Sequence, residues 1–364
     1  MKLAEKLSQC WLMIQGNLFP WLQEELGPLS EKQQQLITVL ELSRVEEFIP
    51  SYHGYVGRPQ DDRCAIARSF IAKAVYNMGM TTQLLDRLSC DKVLRRICGW
   101  EKVSDIPSES TFSRAFSEFA SSELAQRLHE ALIENYQSDR LVGHISRDST
   151  AIEAREKVAK KEKKPKVKKK RGRPMKGEER LPEPKRLERQ VKMSLNDMLA
   201  ELPKVADVGT KRNSKGYQES WKGYKFHIDT ADGAIPISAI LTSASTHDSQ
   251  VAIPLAMTTS QRVVNLYDLM DAAYDADIIR DHSQSLGHVP LIDFNHRRES
   301  DTREFLPHEQ QRYKERSTAE RVNARLKDEF GAMMIRVRGH AKIMTHLMFG
   351  VIALTVDQLM RFAT

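Results

Sequence analysis

The 364-residue sequence predicts an all-α N-terminal region joined to a mixed α/β domain. Three observations carry this expectation. Apolar residues recur at helical spacing through the first ~140 positions. A strand hairpin followed by alternating helices and strands fills the second half, the texture of a mixed sheet flanked by helices. Between the first strand of that half and the hairpin, the composition turns abruptly basic. The expected boundaries are 1–140 for the helical domain and 141–364 for the α/β domain, with an insertion at 156–210 inside the latter.

Within the helical part, Arg63 to Met78 has the clearest helical pattern, and Thr82 to Trp100 continues it. Pro107-Ser108-Glu109-Ser110 opens a further helix over Thr111 to Phe119, with Ser108 placed as its N-cap. Two helices joined by a short turn suit a helix-turn-helix. A plain helical packing domain has the same pattern.

Val142 to Asp148 reads as a strand. From Arg155 to Lys192 there are then eighteen Lys or Arg against six Glu, a net of +12 in a chain whose total is +7. This segment has almost no aromatic or β-branched residues, so it lacks the apolar surface that would offset the cost of ordering. Glu156 to about Thr210 is therefore expected to be mostly disordered. Beyond it, Tyr224 to Ile228 alternates and Ile235 to Thr242 is rich in β-branched residues, with Ala231-Asp232-Gly233 as the turn of a hairpin. Asp248 is placed to cap a helix running to about Thr259. Val263 to Met270 reads as a strand, Asp275 to Leu286 as a helix and Val289 to Phe294 as a short strand. Tyr313 to Phe330 is a long helix ended by Gly331.

Composition narrows the class. With 40% hydrophobic and 29% charged residues the chain fits a soluble globular protein, and a pI of about 9.1 favours a polyanionic partner. Cys10, Cys64, Cys90 and Cys98 show no C-x-x-C spacing, which argues for reduced core residues in a cytoplasmic protein. Met1 to Trp21 lacks a continuous apolar core and a cleavage site, so no signal peptide is expected. The most apolar stretch, Ile343 to Val356, is too short to span a bilayer and reads as a buried helix.

The last long helix carries chemistry. Tyr313, Arg316, Glu320 and Lys327 lie at offsets 0, 3, 7 and 14. At ~100° per residue they share a stripe about 60° wide along about 21 Å of helix. An acid flanked on its own face by cations suits a site that holds metal and meets phosphate, although a solvated, salt-bridged face has the same spacing. Asp148 and Asp271 each end an expected strand. Ligands gather at strand ends in open α/β sheets, while capping of turns and helices is the plainer role for such residues. If the two strands are neighbours, both carboxylates can share one site with Glu320. Three crowded carboxylates are costly unless hard cations neutralise them. Two such ions can activate a nucleophile and stabilise the leaving oxygen of a phosphoryl transfer.

The helix resembles, position for position, the Tyr-x2-Arg-x3-Glu-x6-Lys signature of bacterial insertion-sequence DDE transposases. Asp148-Ser149-Thr150 resembles the first-Asp motif of that family and Asp271-Ala272-Ala273-Tyr274-Asp275 the second. Thr246-His247-Asp248-Ser249, Val337-Arg338-Gly339, Gly57-Arg58-Pro59 and Ser110-Thr111-Phe112-Ser113 extend the resemblance over about residues 50 to 362. It implies an RNase H-like fold with Asp148 and Asp271 on adjacent strands and Glu320 on a later helix. It further implies that these three acids bind two Mg²⁺ or Mn²⁺ ions and that Tyr313, Arg316 and Lys327 contact transposon-end phosphates. The implied chemistry is hydrolysis at the terminal inverted repeats, then attack of the freed 3′-OH on target DNA. A homodimer is implied because two ends must be brought together. The long basic insertion departs from the family pattern.

That insertion contains Lys168-Lys169-Lys170-Arg171-Gly172-Arg173-Pro174. Arg171-Gly172-Arg173-Pro174 in a basic run resembles an AT-hook, whose arginines enter narrow A·T minor grooves. A polybasic linker that clamps phosphates has the same composition. Trp221, with Lys222 and Tyr224, could stack on an unpaired base, but beginning a strand and packing on the core is the plainer reading. His227 and His247 likewise read as core or turn residues before ligands. Two rival functions share these features. One is a non-catalytic DNA-binding protein derived from a transposase, against which the retained acids argue; the other is a hydrolytic nuclease of the same fold.

Overall fold

Eight α-helices precede the first strand among the described residues, which are 3–50, 60–158, 184–212, 215–295 and 304–362 of the computed structural model. They are α1 (Leu3–Met13), α2 (Phe19–Leu26), α3 (Glu31–Ser43), α4 (Arg63–Val75), α5 (Thr81–Cys90), α6 (Lys92–Ile97), α7 (Glu109–Ser121) and α8 (Leu124–Gln137). Local chemistry sets their starts. Ser30 and Gln33 form a reciprocal capping box at α3, and the Asp62 carboxylate accepts from the backbone N–H groups of Cys64 and Ala65 at α4. The single helical stretch expected over Thr82 to Trp100 breaks at Asp91. That residue ends α5 and accepts from Leu94 N at 2.9 Å to start α6, an instance of a short acidic side chain competing with the helix ladder. Ser108 stands before α7, but its hydroxyl bonds Ser110 rather than a backbone N–H.

The strands are β1 (Leu141–Glu153), β2 (Asp207–Arg212), β3 (Gln218–Ala231), β4 (Ile235–Ser243), β5 (Val264–Met270) and β6 (Val289–Ile292). They form one sheet ordered β2-β3-β1-β5-β6, with β4 also paired to β3. The β1, β2, β3 and β4 pairings are antiparallel, whereas β1–β5 and β5–β6 are parallel. This is the mixed sheet that the sequence predicts, in the RNase H-like arrangement that the family resemblance implies. Its helices are α9 (Arg186–Gln190), α10 (Leu195–Glu201), α11 (Ser249–Ser260), α12 (Asp277–Ser285), α13 (Pro307–Tyr313), α14 (Ser317–Glu329) and α15 (His340–Met360).

The expected disorder over 156–210 does not extend through its second half. Residues 184–212 carry α9, α10 and β2, while 159–183 lie outside the described residues. Leu199 and Leu202 pack with Ile240, Val251 and Leu255. The apolar residues of α10 thus find a surface on the sheet that an average over a Lys-rich window conceals.

The expected buried helix over Ile343 to Val356 is α15, longer at both ends. By length and composition it could cross a membrane, yet it is almost wholly enclosed by protein. It packs against α3, α4, α7, α8 and β4, so the helical and α/β regions share one hydrophobic core. All four cysteines are free thiols, but only Cys98 is fully buried and Cys90 is exposed.

Candidate active site

β1 and β5 run in parallel, Leu141 opposite Val264 and Ser146 opposite Leu269. Continued by two residues, that register sets Asp148 level with Asp271 on neighbouring strands, whose spacing is about 4.8 Å. Asp148 does not end its strand as expected. β1 continues to Glu153 because Arg147 to Glu153 keep pairing with β3 after β5 has stopped. The end of β5 therefore leaves one edge of β1 open beside Asp148. Asp271 follows β5 directly, and its Oδ1 accepts from Ala273 N at 2.9 Å, so it also caps the 3₁₀ turn Ala272–Tyr274.

The expected continuous helix from Tyr313 to Phe330 is broken. α13 ends at Tyr313, a 3₁₀ turn spans Lys314–Arg316, and α14 begins at Ser317. Sequence spacing does not distinguish a 3₁₀ turn from one more α turn. Tyr313 and Arg316 still face the site. The Tyr313 hydroxyl donates to the Met270 carbonyl at 3.1 Å, one residue before Asp271. Arg316 pairs with Glu320 at 2.9 Å and lies 5.9 Å from the Tyr313 ring centroid. One turn beyond Glu320, Asn323 Nδ2 donates to Asp148 Oδ2 at 3.1 Å. Lys327 lies further along α14, lining a cavity of about 280 Å³ with Glu153, Lys211 and Trp221.

Electrostatics mark Asp148 as the crowded acid. Burial pushes its carboxyl up to about 6, and the charges of Asp271 and Glu320 add to the shift. Asp271 is also raised, first by burial and then by Asp248. Burial lowers the Lys327 ammonium, against the pull of Asp148. Among the described residues no three His, Cys, Asp or Glu side chains are gathered closely enough to hold a metal ion. The geometry gives the reason on one side, since Arg316 already occupies the Glu320 carboxylate. The donor chemistry nevertheless fits a hard cation: all three groups are carboxylates, and two sit level on adjacent strands in a desolvated setting that raises their pKa values.

Asp248 was expected to cap α11, but no side-chain cap bond forms there. Its carboxylate instead accepts from Ser149 Oγ at 2.8 Å and Lys225 Nζ at 3.2 Å, beside Asp148. Burial works against the charged form, yet His227, Lys225 and Ser149 together hold the carboxyl below its usual range. Asn323 lies outside the expected stripe residues, although its offset of three from Glu320 puts it on the same helix face. Trp221 packs, buried, with its indole N–H donating to the Tyr224 carbonyl at 2.8 Å. His227 is buried and bonds Thr242, and His247 belongs to the turn before α11, bonding Ser249. Lys168, Lys169, Lys170, Arg171 and Arg173 lie outside the described residues.

Residues 143–356 match the family described as Transposase DDE domain. Residues 23–118 match a second family, Transposase domain (DUF772). No curated protein and no solved structure matches the chain. The first match covers more than half of the sequence and spans the sheet, both aspartates and the glutamate helix, so the chain belongs to the DDE-domain transposases, DNA-processing enzymes of mobile elements.

Proposed function

We propose that this transposase is catalytically competent, that Asp148, Asp271 and Glu320 are its catalytic and metal-binding acids, and that it cuts transposon ends and joins the freed 3′-OH to target DNA. The observation carrying this reading is the parallel register that sets Asp148 level with Asp271, together with the Asn323 bond that ties the Glu320 helix to Asp148. Two bound Mg²⁺ or Mn²⁺ ions would supply an activated oxygen nucleophile and stabilise the leaving oxygen. The chain's own residues position the rest. Asn323 orients Asp148, Ala273 N–H orients Asp271, and Arg316 holds Glu320 until substrate phosphate draws the guanidinium away. Tyr313, Arg316 and Lys327 then meet the end phosphates, with the basic 168–173 segment as an auxiliary clamp. A homodimer would hold the two inverted repeats together.

The test is Glu320→Gln, assayed with labelled end DNA and Mg²⁺. Cleavage and joined product should vanish while end binding persists, because affinity comes mainly from phosphate contacts elsewhere. Cleavage at the wild-type rate would remove Glu320 from the catalytic set. Cleaved but never joined product from the wild-type chain would favour a hydrolytic nuclease.

A further inference from the structure

A second basic site lies where the helical region meets the catalytic region. It is a cavity of about 430 Å³ lined by Lys73, Arg155, Arg336, Arg338 and Lys342, with Glu109 as its acidic member. Lys73, on α4, is only 4% exposed, and among the described residues its ammonium has neither a hydrogen bond nor an ion pair. Burial lowers that ammonium to about 8, so it is still charged at neutral pH. An unpaired buried cation opposes folding. Arg336, Arg338 and Lys342 also lack an acidic partner among the described residues. Thr81 and Thr82, the first residues of α5, line the same cavity and add the positive end of a helix. Excess positive charge, a concave wall and helix-end N–H groups together describe a receptor for a phosphate.

We propose that this cavity binds a backbone phosphate of the substrate DNA, gripping the duplex between the helical region and the catalytic sheet. The ligand's identity as DNA rests on the transposase reading; the anion site itself does not. Three of its cations adjoin the catalytic elements: Arg155 lies two residues beyond β1, which bears Asp148, and Arg336 and Arg338 follow α14, which bears Glu320. Along β1, about 3.3 Å per residue puts the cavity roughly 17 to 23 Å from Asp148. At 3.4 Å per base pair that is about five to seven nucleotides from the bond being cut.

The test uses the full chain with Lys73→Met, which removes the charge at similar volume, and with Arg338→Ala at the cavity wall. Binding of duplex DNA is measured over a series of salt concentrations, and melting is followed with and without inorganic phosphate. Each variant should bind duplex about tenfold more weakly, with a log-log salt slope smaller by about 0.9. Without anion, Lys73→Met should melt no lower than wild type. Wild-type affinity and slope in both cavity variants would overturn the proposal. If inorganic phosphate stabilises the wild type while DNA binding ignores Lys73, the cavity serves free phosphate and the backbone assignment fails. A chain whose duplex binding depends on Lys73 but which never cuts DNA would sink the catalytic reading and leave this site standing.

Discussion

Asn323 donates a hydrogen bond of 3.1 Å to Asp148, tying the glutamate helix to the central strand at the site itself. A hydrogen bond to a charged group contributes about 1.5–3 kcal/mol. Asn323→Ala should therefore lower the single-turnover cleavage rate by roughly 10- to 100-fold with little change in DNA affinity. Equal rates would show that Asp148 needs no such support.

On the opposite face of β1, Arg147 pairs with Asp229 through two bonds of 2.8 and 2.7 Å, both side chains almost wholly buried. Thr259 Oγ1 donates to the same carboxylate at 2.6 Å. Arg147→Met leaves a buried carboxylate without its counter-charge, a loss of about 3–5 kcal/mol in denaturant unfolding. The double variant Arg147→Met/Asp229→Asn should recover much of it. A double variant as unstable as the single one would mean that the guanidinium packs the core rather than balances charge.

Acid should weaken the fold through two buried histidines. Burial lowers both His129 and His346 to about 3. In the unfolded chain each takes up a proton near 6.5, but in the folded chain not until about 3, so protonation in that window favours unfolding. Stability is thus complete above about pH 6.5 and falls on acidification by about 1.4 kcal/mol per pH unit for each histidine. Unfolding curves at pH 6.5, 5.5 and 4.5 should show this slope, and His129→Gln/His346→Gln should make it shallower, with buried His227, lowered to about 4, supplying part of what remains. Parallel slopes would assign the acid sensitivity to other groups.

Gly350 lets α15 touch the end of α14. A Cβ there would stand 2.6 Å from the Phe330 carbonyl oxygen and 3.0 Å from Leu326 Cδ1. Gly350→Ala must push the two helices apart, and overpacking of this kind costs about 1–3 kcal/mol. A denaturation midpoint equal to wild type would show that α14 yields freely.

Local patterns reveal what is local. The hairpin, β5, α11 and α12 are legible because alternation, β-branching and turn residues act within a few positions. The acids Asp148, Asp271 and Glu320 stand out because strand texture precedes each aspartate and a polar stripe surrounds the glutamate. Non-local pairing is not legible in the same way. The run of β1 past Asp148 depends on β3, some eighty residues away in the register Asp148 to Ile228. Asp248 looks like a cap because Ser149 and Lys225, its partners, are distant in sequence. α10 is hidden because the lysines before it dominate the average.

α15 sits at the centre of helices made long before it. Between α3 and α15 lie roughly 300 residues, which at about 5–20 residues per second take some 15 to 60 s to synthesise. Until then α3, α4, α7 and α8 have only one another to pack on, and the apolar surface that α15 covers is open to chaperones. A message truncated before the codon for His340 would thus yield a product for proteolysis, not a freestanding DNA-binding fragment that competes with the intact transposase.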